Sequence, residues 1–175
     1  SVKSTAQITK AMEMVASAKM RRAQQSALAS RPYARLMYRM QRDVTTHAGD
    51  FSHPLLERRD LRRRAVVLVG TDKGMCGALN SNLFREAARL DRQATTFIAA
   101  GRKAAQFIAR TKRDLAGEFA YRDTPQFGEA RAIVKLAAEL FLSGKVDQVD
   151  IFFNRFINTL SQKPICIEFL PISQI

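Results

Sequence analysis

The first 48 residues carry apolar side chains at the spacing of one helix face. Ile8, Met12 and Val15 stand at positions i, i+4 and i+7, which is the period of an α-helix. A second apolar stripe continues along the segment, through Met20, Ala23, Ala27, Ala34, Met37 and Val44. No glycine interrupts residues 1–48, and the one proline there, Pro32, removes a backbone donor. The pattern predicts a single helix of ~40 residues, ~60 Å long, with a weak point at Pro32.

Short strands and helices alternate after a break at Gly49-Asp50 and His53-Pro54. Residues 49–64 are a predicted basic linker with five arginines, and residues 65–175 are a predicted globular α/β domain. We predict strands at 65–69, 95–100, 115–121, 149–153 and 164–170, helices at 80–91, 102–112 and 129–142, and a connector at 154–160. The alternation favours a mostly parallel sheet with helices on both faces.

Positive charge is concentrated in the first third of the chain. The formal charge is +13, and residues 1–64 contain 14 Lys and Arg against 5 Asp and Glu, whereas residues 65–175 contain 15 against 11. A cationic helix indicates an acidic partner, which is a protein, a nucleic acid or an anionic membrane surface.

The residue types that hold metals are scarce and badly spaced. Cys76 and Cys166 do not form a ligand pattern, and the chain has two histidines, so we predict no metal and no cofactor. No apolar run approaches the ~20 residues that span a bilayer, which predicts no direct membrane insertion. The cysteine content favours a reducing, intracellular location. Because Ser1 starts inside the helical pattern, we expect the native N-terminus to lie upstream.

The loop after the first predicted strand is where an α/β protein binds phosphate. Its glycines form G-x-x-x-G-x-x-G at Gly70, Gly74 and Gly77, which matches neither the dinucleotide fingerprint nor the P-loop. Lys73 precedes the second glycine, whereas the P-loop lysine follows it. The favoured interpretation is a tight turn before a helix that Asn80 or Ser81 caps. Cys76 lies near Lys73 before a helix start, but a small contact cysteine is favoured over a nucleophile.

The apolar stripe of Ile8, Met12 and Val15 requires a partner. A helix of this length overhangs a domain of ~110 residues, whose radius of gyration is ~13 Å. Covering the stripe therefore requires a second helix in coiled-coil fashion, from another chain or from a C-terminal segment outside these residues.

Three stretches together resemble the gamma subunits of the rotary F-type ATP synthases. They are residues 5–22 (TAQITKAMEMVASAKMRR) with the following RPYA, residues 71–82 (TDKGMCGALNSN), and residues 154–164 (NRFINTLSQKP) leading to FLP. The likeness covers essentially the whole chain and is bacterial in style. Thr71, where Ser is usual, and Met75, where Leu is common, are its mild departures. The resemblance implies a long coiled-coil helix beside a Rossmann-like domain.

The resemblance also implies a function and partners. Such subunits are non-catalytic central shafts of a proton-translocating ATP synthase. They transmit torque between the membrane ring of c subunits and the hexamer of alpha and beta subunits, and their base joins the epsilon subunit. A long C-terminal helix of the same chain winds around the first. The expected location is peripheral, on the cytoplasmic face of the bacterial inner membrane.

By the same resemblance, several residues are expected to contact the beta subunit. The family's beta subunits carry an acidic lever, opposite which this chain has four cations: Lys10, Lys19, Arg21 and Arg22. Met12 matches a shaft position close to that lever. Lys73 and Cys76 match a loop that also faces beta.

Two functions of other classes remain as alternatives. A nucleotide-binding α/β enzyme would use the Gly70–Gly77 loop, with the long helix for dimerisation. A nucleic-acid-binding protein would use the arginine run between Arg58 and Arg64, although that run has no interleaved aromatic residues.

Overall fold

The computed structural model describes residues 2–47, 52–121 and 125–172. These residues divide into two compact units, with the boundary after Phe51. The first unit consists of the N-terminal helix and the second is an α/β domain.

Helix α1 spans Val2–His47, 46 residues, and runs through Pro32 without a break in its assignment. The segment is rich in Ala, Met, Lys, Arg and Gln, which are strong helix formers, and this composition explains its length. Apart from the half-buried Gln24, every side chain that the structure describes in α1 is exposed. Helix α1 therefore has no packed face of its own.

In the residues that the structure describes, the α/β domain contains five strands and three α-helices, preceded by a short 3-10 helix at Pro54–Leu56. In chain order the elements are β1 (Arg64–Val69), α2 (Leu79–Ala88), β2 (Thr95–Ala100), α3 (Arg102–Arg110), β3 (Asp114–Phe119), α4 (Phe127–Leu142), β4 (Gln148–Phe156) and β5 (Gln162–Leu170). The sheet order is β3-β2-β1-β4-β5. Strands β1 to β4 are parallel, and β5 pairs antiparallel with β4.

Each face of the sheet has its own apolar core. Val66 and Leu68 of β1 pack with α2 and α3, whereas Ala65 and Val67 pack with α4 on the other face. This alternation follows from the two-residue period of a strand, and a strand buried on both faces needs a continuous apolar run. The predicted fold class, a long helix plus a mostly parallel sheet with helices on both faces, is confirmed.

One predicted connector is partly wrong. Residues 154–156 belong to β4, where the polar residues Asn154 and Arg155 interrupt the apolar run of the strand. The turn that follows is closed by Asn158, whose side-chain oxygen accepts from Leu160 N at 2.9 Å and Ser161 N at 2.8 Å. An asparagine that bonds its own backbone in this way replaces the ladder at a hairpin tip.

The arginine run before β1 lies against the α/β domain. Backbone N–H groups of Arg62 and Arg63 donate to Asp147 at 3.0 and 2.9 Å, and these bonds hold the pKa of the Asp147 carboxyl below its usual value. The Arg59 guanidinium donates to the Phe141 carbonyl at 2.8 Å and lies 4.7 Å from the centre of the Phe141 ring. Arg64 pairs with the buried Asp150 at 3.1 Å. Several of these arginines therefore have structural roles.

Candidate functional site

The surface of α1 is the first candidate site. Ile8, Met12 and Val15 are 59%, 67% and 58% exposed, although a core position would be nearly fully covered. Seven larger apolar residues further along are also about half exposed or more: Met20, Leu28, Tyr33, Leu36, Tyr38, Met40 and Val44. Exposed apolar surface of this extent on one helix is typical of a protein interaction site.

Helix geometry places the four predicted contact cations on two different faces. At 100° per residue, Lys19 and Arg22 continue the stripe of Ile8, Met12 and Val15. Lys10 and Arg21 lie on the opposite side, in a shallow groove that Glu13, Met14 and Ser17 also line and that Arg22 borders. Lys10 and Arg21 can therefore face outward while the apolar stripe is covered.

The loop between β1 and α2 is the second candidate site, and Asn80 organises it. The Asn80 side-chain oxygen accepts from Thr71 N at 3.2 Å, and its amide donates to Thr71 Oγ1 at 2.7 Å and Cys76 Sγ at 3.3 Å. The prediction that Asn80 or Ser81 caps α2 is wrong, because the N-cap is Ala78 without a side-chain bond. Asn80 instead connects Thr71, at the start of the loop, to Cys76, further along it.

The other side of this loop is fastened to α3. The Asp72 carboxylate accepts from Arg102 N at 2.8 Å, and the Thr71 carbonyl accepts from Lys103 N at 2.9 Å. Gly101 has φ +97°, and a Cβ there would lie 2.6 Å from the Gly70 carbonyl oxygen. Tyr121 donates its hydroxyl to the same oxygen, and burial raises the pKa of that phenol. The loop is thus held at both ends and presents Met75, fully exposed at φ +56°, at its tip.

One of these contacts occupies a helix N-terminus, which is a place where an anion can bind. Asp72 places a carboxylate at the N-terminus of α3, where an anionic ligand would otherwise sit. In this strand order a dinucleotide binds at the carboxyl ends of β1 and β4. There the Asn154 amide donates to the Leu79 carbonyl at 3.1 Å and bridges β4 to α2. The geometry favours a rigid contact loop over a nucleotide site.

The predicted site residues fall into two groups. Lys73 and Cys76 lie in the β1–α2 loop, where the Lys73 carbonyl accepts from Thr71 Oγ1 at 2.6 Å and Cys76 is half-buried. Lys10, Met12, Lys19, Arg21 and Arg22 are exposed on α1. Sequence reasoning missed Asp72 and Tyr121, because their partners are 30 and 51 residues away along the chain.

Replacing Asn80 by alanine is expected to lower the free energy of unfolding by ~1–3 kcal/mol, since three hydrogen bonds lose their partner. Chemical denaturation and limited proteolysis of the loop measure the effect. Asn82→Ala is the matched control, because this exposed asparagine lies on the same helix. Equal stability of the two variants would contradict the proposed role of Asn80.

Cys166 on β5 is a poor nucleophile. The residue is exposed overall, but desolvation of its thiol by the surrounding chain, followed by the nearby Asp150 carboxylate, raises the pKa of the thiol to about 11. A raised pKa keeps the thiol protonated at neutral pH, so we expect alkylation of Cys166 at pH 8 to be ~100-fold slower than in urea. In a Cys76→Ser background, the rate should rise about tenfold per pH unit up to pH ~10. A plateau below pH 9 would contradict the assignment.

Residues 2–47, 52–121 and 125–172 contain neither a metal-binding cluster nor a helix that could span a membrane. No group of three or more His, Cys, Asp and Glu side chains there is placed to hold a metal ion. In the same ranges, no helix has the length and apolar content needed to cross a membrane.

Comparisons with known proteins agree on one family. The family described as ATP synthase matches residues 1–175. The chain is 45% identical to an ATP synthase gamma chain of Opitutus terrae, with 98% of this chain and 58% of the relative covered. It is 39% identical to that of Methylacidiphilum infernorum, with 100% and 61% covered. The chain therefore spans about three-fifths of the length of these curated relatives.

Solved structures show the same fold. The central stalk and c-ring structure of the Tetrahymena thermophila mitochondrial ATP synthase contains a similar chain, with a TM-score of 0.74 and 28% identity. That match covers 94% of this chain and 72% of the other. A rotor chain of the Euglena gracilis enzyme has a TM-score of 0.56 at 19% identity, covering 77% and 53%, which supports the fold alone. The chain belongs to the ATP synthase gamma-chain family.

Proposed function

We propose that this chain is part of a central rotor shaft, which transmits torque between a proton-driven membrane ring and the catalytic hexamer of an ATP synthase. The observation that carries the proposal is α1, 46 residues long and exposed on its apolar stripe and on its opposite, cationic side. A helix with these two faces can bind a second helix on one side and an acidic surface on the other.

The apolar stripe is proposed to pack against a helix from the remainder of the full-length protein. The relatives are longer than this chain, so such a helix has room in them. Burying one large side chain of the stripe contributes ~1.5–3 kcal/mol, so three of them stabilise a two-helix shaft substantially. Lys19 and Arg22 would then flank the seam between the two helices.

Lys10 and Arg21 are proposed to face an acidic lever of the beta subunits. A rotor meets each of three beta subunits in turn, so any contact made in one orientation is broken in the next. Deep energy minima would stall rotation, and a contact that favours one state shifts the populations toward it. Attraction between exposed charges is long-ranged and weak per pair, so it tolerates sliding better than interlocked apolar packing.

The β1–α2 loop is proposed as a second contact with a beta subunit, through Lys73, Met75 and Cys76. Its hydrogen bonds to Asn80 and to the start of α3 support this role. A loop held at both ends loses little conformational entropy when it binds.

The proposed partners are the alpha and beta subunits, the c-subunit ring and the epsilon subunit. The proposed location is the periphery of the membrane, on the cytoplasmic face of a bacterial inner membrane. The Tetrahymena thermophila structure with a chain similar to this one contains a central stalk and a c-ring, which supports the c-subunit ring as a partner. The subunit itself is proposed to be non-catalytic and to need no cofactor.

Reconstitution tests the proposal. Full-length protein carrying these residues is mixed with alpha and beta subunits of the same organism, and the complex is examined by size and ATPase rate. We expect one copy per three alpha–beta pairs, with ATPase activity that this chain alone does not show. Failure to associate at low and moderate salt would contradict the shaft. ATP hydrolysis by the isolated chain that Lys73→Ala abolishes would favour a nucleotide-binding enzyme instead.

A further inference from the structure

The edge of the sheet at which β1 to β4 begin is strongly basic. In right-handed strand–helix–strand units each helix runs opposite to the strands, so α2, α3 and α4 all end at this edge. Between the start of β2 and β3 and the end of α4 lies an open groove of about 1070 Å³. Five of its lining residues are cations: Arg63, Arg92, Lys112, Arg113 and Lys145.

Two of these cations, Arg113 and Arg92, bind backbone carbonyls at the ends of helices, and so does Arg59, which lies outside the groove lining. Arg113 donates to the Ala88 and Leu90 carbonyls at the end of α2, at 2.7 and 3.1 Å. Arg92 donates twice to the Lys112 carbonyl just after α3, at 2.7 and 3.2 Å. Arg59 donates to the Phe141 carbonyl near the end of α4, so α2, α3 and α4 each have one such arginine at the C-terminal end. A cation at a helix C-terminus satisfies unpaired carbonyls and the helix dipole, which explains these three.

The other three cations of the groove are not explained in this way. The side chains of Arg63, Lys112 and Lys145 are exposed, and none makes a hydrogen bond or ion pair with the residues that the structure describes. The one carboxylate among the lining residues of the groove, Asp114, accepts from Thr96 Oγ1 at 2.6 Å. Three unpaired cations from three separate segments thus line one concave surface.

We propose that this groove binds a carboxylate-rich segment of a partner protein, through Arg63, Lys112 and Lys145. Proteins commonly bind phosphate with backbone N–H groups at helix N-termini, whereas this edge receives helix C-termini, whose dipoles repel a compact, multiply charged anion. Carboxylates spaced along an extended peptide carry one charge each and reach separated cations. The groove does not involve α1 or the β1–α2 loop, so its role is independent of the proposed contacts with the beta subunits.

A binding experiment with two matched triple variants tests the groove. The probe is a synthetic peptide of alternating Glu and Gly, and its Gln–Gly counterpart controls for charge. Arg63→Gln with Lys112→Gln and Lys145→Gln is expected to weaken binding about tenfold at low salt. The control, Arg131→Gln with Lys135→Gln and Lys163→Gln, removes the same exposed charges elsewhere and is expected to weaken binding less than about twofold. Equal weakening by both triples would overturn the proposal.

Zero-length crosslinking identifies where the peptide binds, which matters because α1 is also cationic. A carbodiimide joins Glu carboxylates to lysine amines, so we expect crosslinks at Lys112 and Lys145 in excess of those at Lys135 and Lys163. Crosslinks confined to α1 would overturn the proposal.

Two competing ligands of the groove are tested separately. Displacement of the peptide by inorganic phosphate, but not by chloride of equal ionic strength, would indicate a phosphate site and would overturn the proposal. Binding of phosphatidylglycerol vesicles through the same three cations, without binding of the peptide, would overturn it in favour of a lipid surface.

Discussion

Replacing Lys10 and Arg21 together by glutamate is expected to reduce ATP-driven proton pumping by the assembled enzyme about tenfold. Both residues lie on the side of α1 opposite the apolar stripe, so in the proposed shaft they face the acidic lever of the beta subunits. The reversal replaces two attractions by two repulsions, and a total of ~1.4 kcal/mol corresponds to a factor of ten. Pumping in reconstituted vesicles measures the effect, with ATP hydrolysis recorded in parallel.

The pair Lys19→Glu and Arg22→Glu provides the matched control on the other face. Both are cations of the same helix, and the total charge changes equally, but these positions continue the Ile8–Met12–Val15 stripe. We expect this pair to lower the stability of the two-helix shaft. At equal amounts of assembled enzyme, we expect it to reduce proton pumping less than the Lys10 and Arg21 pair does. If both pairs reduce proton pumping equally while assembly is unchanged, pumping depends on the net charge of α1 and not on which face carries the charge.

Phe141→Ala is expected to lower the free energy of unfolding of the α/β domain by ~3–5 kcal/mol. The Phe141 ring is fully buried between α4 and the sheet, and Arg59 lies over it, so truncation leaves a cavity and removes a cation–π contact. Phe127→Ala, on the same helix, removes a side chain that is 82% exposed and is expected to cost less than ~0.5 kcal/mol. Urea denaturation followed by circular dichroism at the wavelength of β-structure compares the two variants.

A similar loss in both variants would contradict the assignment of the buried face of α4. Both apolar cores consist of residues of the second unit, so a loss of stability in Phe141→Ala reports on the α/β domain.

Local sequence pattern was sufficient for most of the fold. Val66, Val67 and Leu68 form a continuous apolar run, and only a strand buried on both faces accommodates one. The α4 pattern of Ile133, Leu136, Ala137 and Phe141 places one face on the sheet, as found. These elements were predictable because strand and helix periods are properties of neighbouring residues. The end of β4 was not, since Asn154 and Arg155 interrupt the apolar run that marks the rest of the strand.

The sites were predictable only in part. The cations and the apolar stripe of α1 follow directly from the sequence, because one straight helix converts residue spacing into faces. The roles of Asn80, Asp72 and Tyr121 do not, since each is set by a partner that only the folded chain brings near. For the same reason the sequence does not show which arginines have a structural role. Arg59, Arg92 and Arg113 bind carbonyls that lie 82, 20 and 23 to 25 residues away along the chain.

By itself the sequence determined the long amphipathic helix, the alternating α/β domain and their cationic character, because these depend on local spacing and residue type. The tertiary structure decided which cations are structural and which are unpaired. It also decided that the β1–α2 loop is bonded to Asn80 and to α3, whereas the glycine pattern alone was compatible with phosphate binding. Hydrogen bonds between residues distant in sequence determine both results. Their geometry depends on how the helices and strands pack, which no local pattern records.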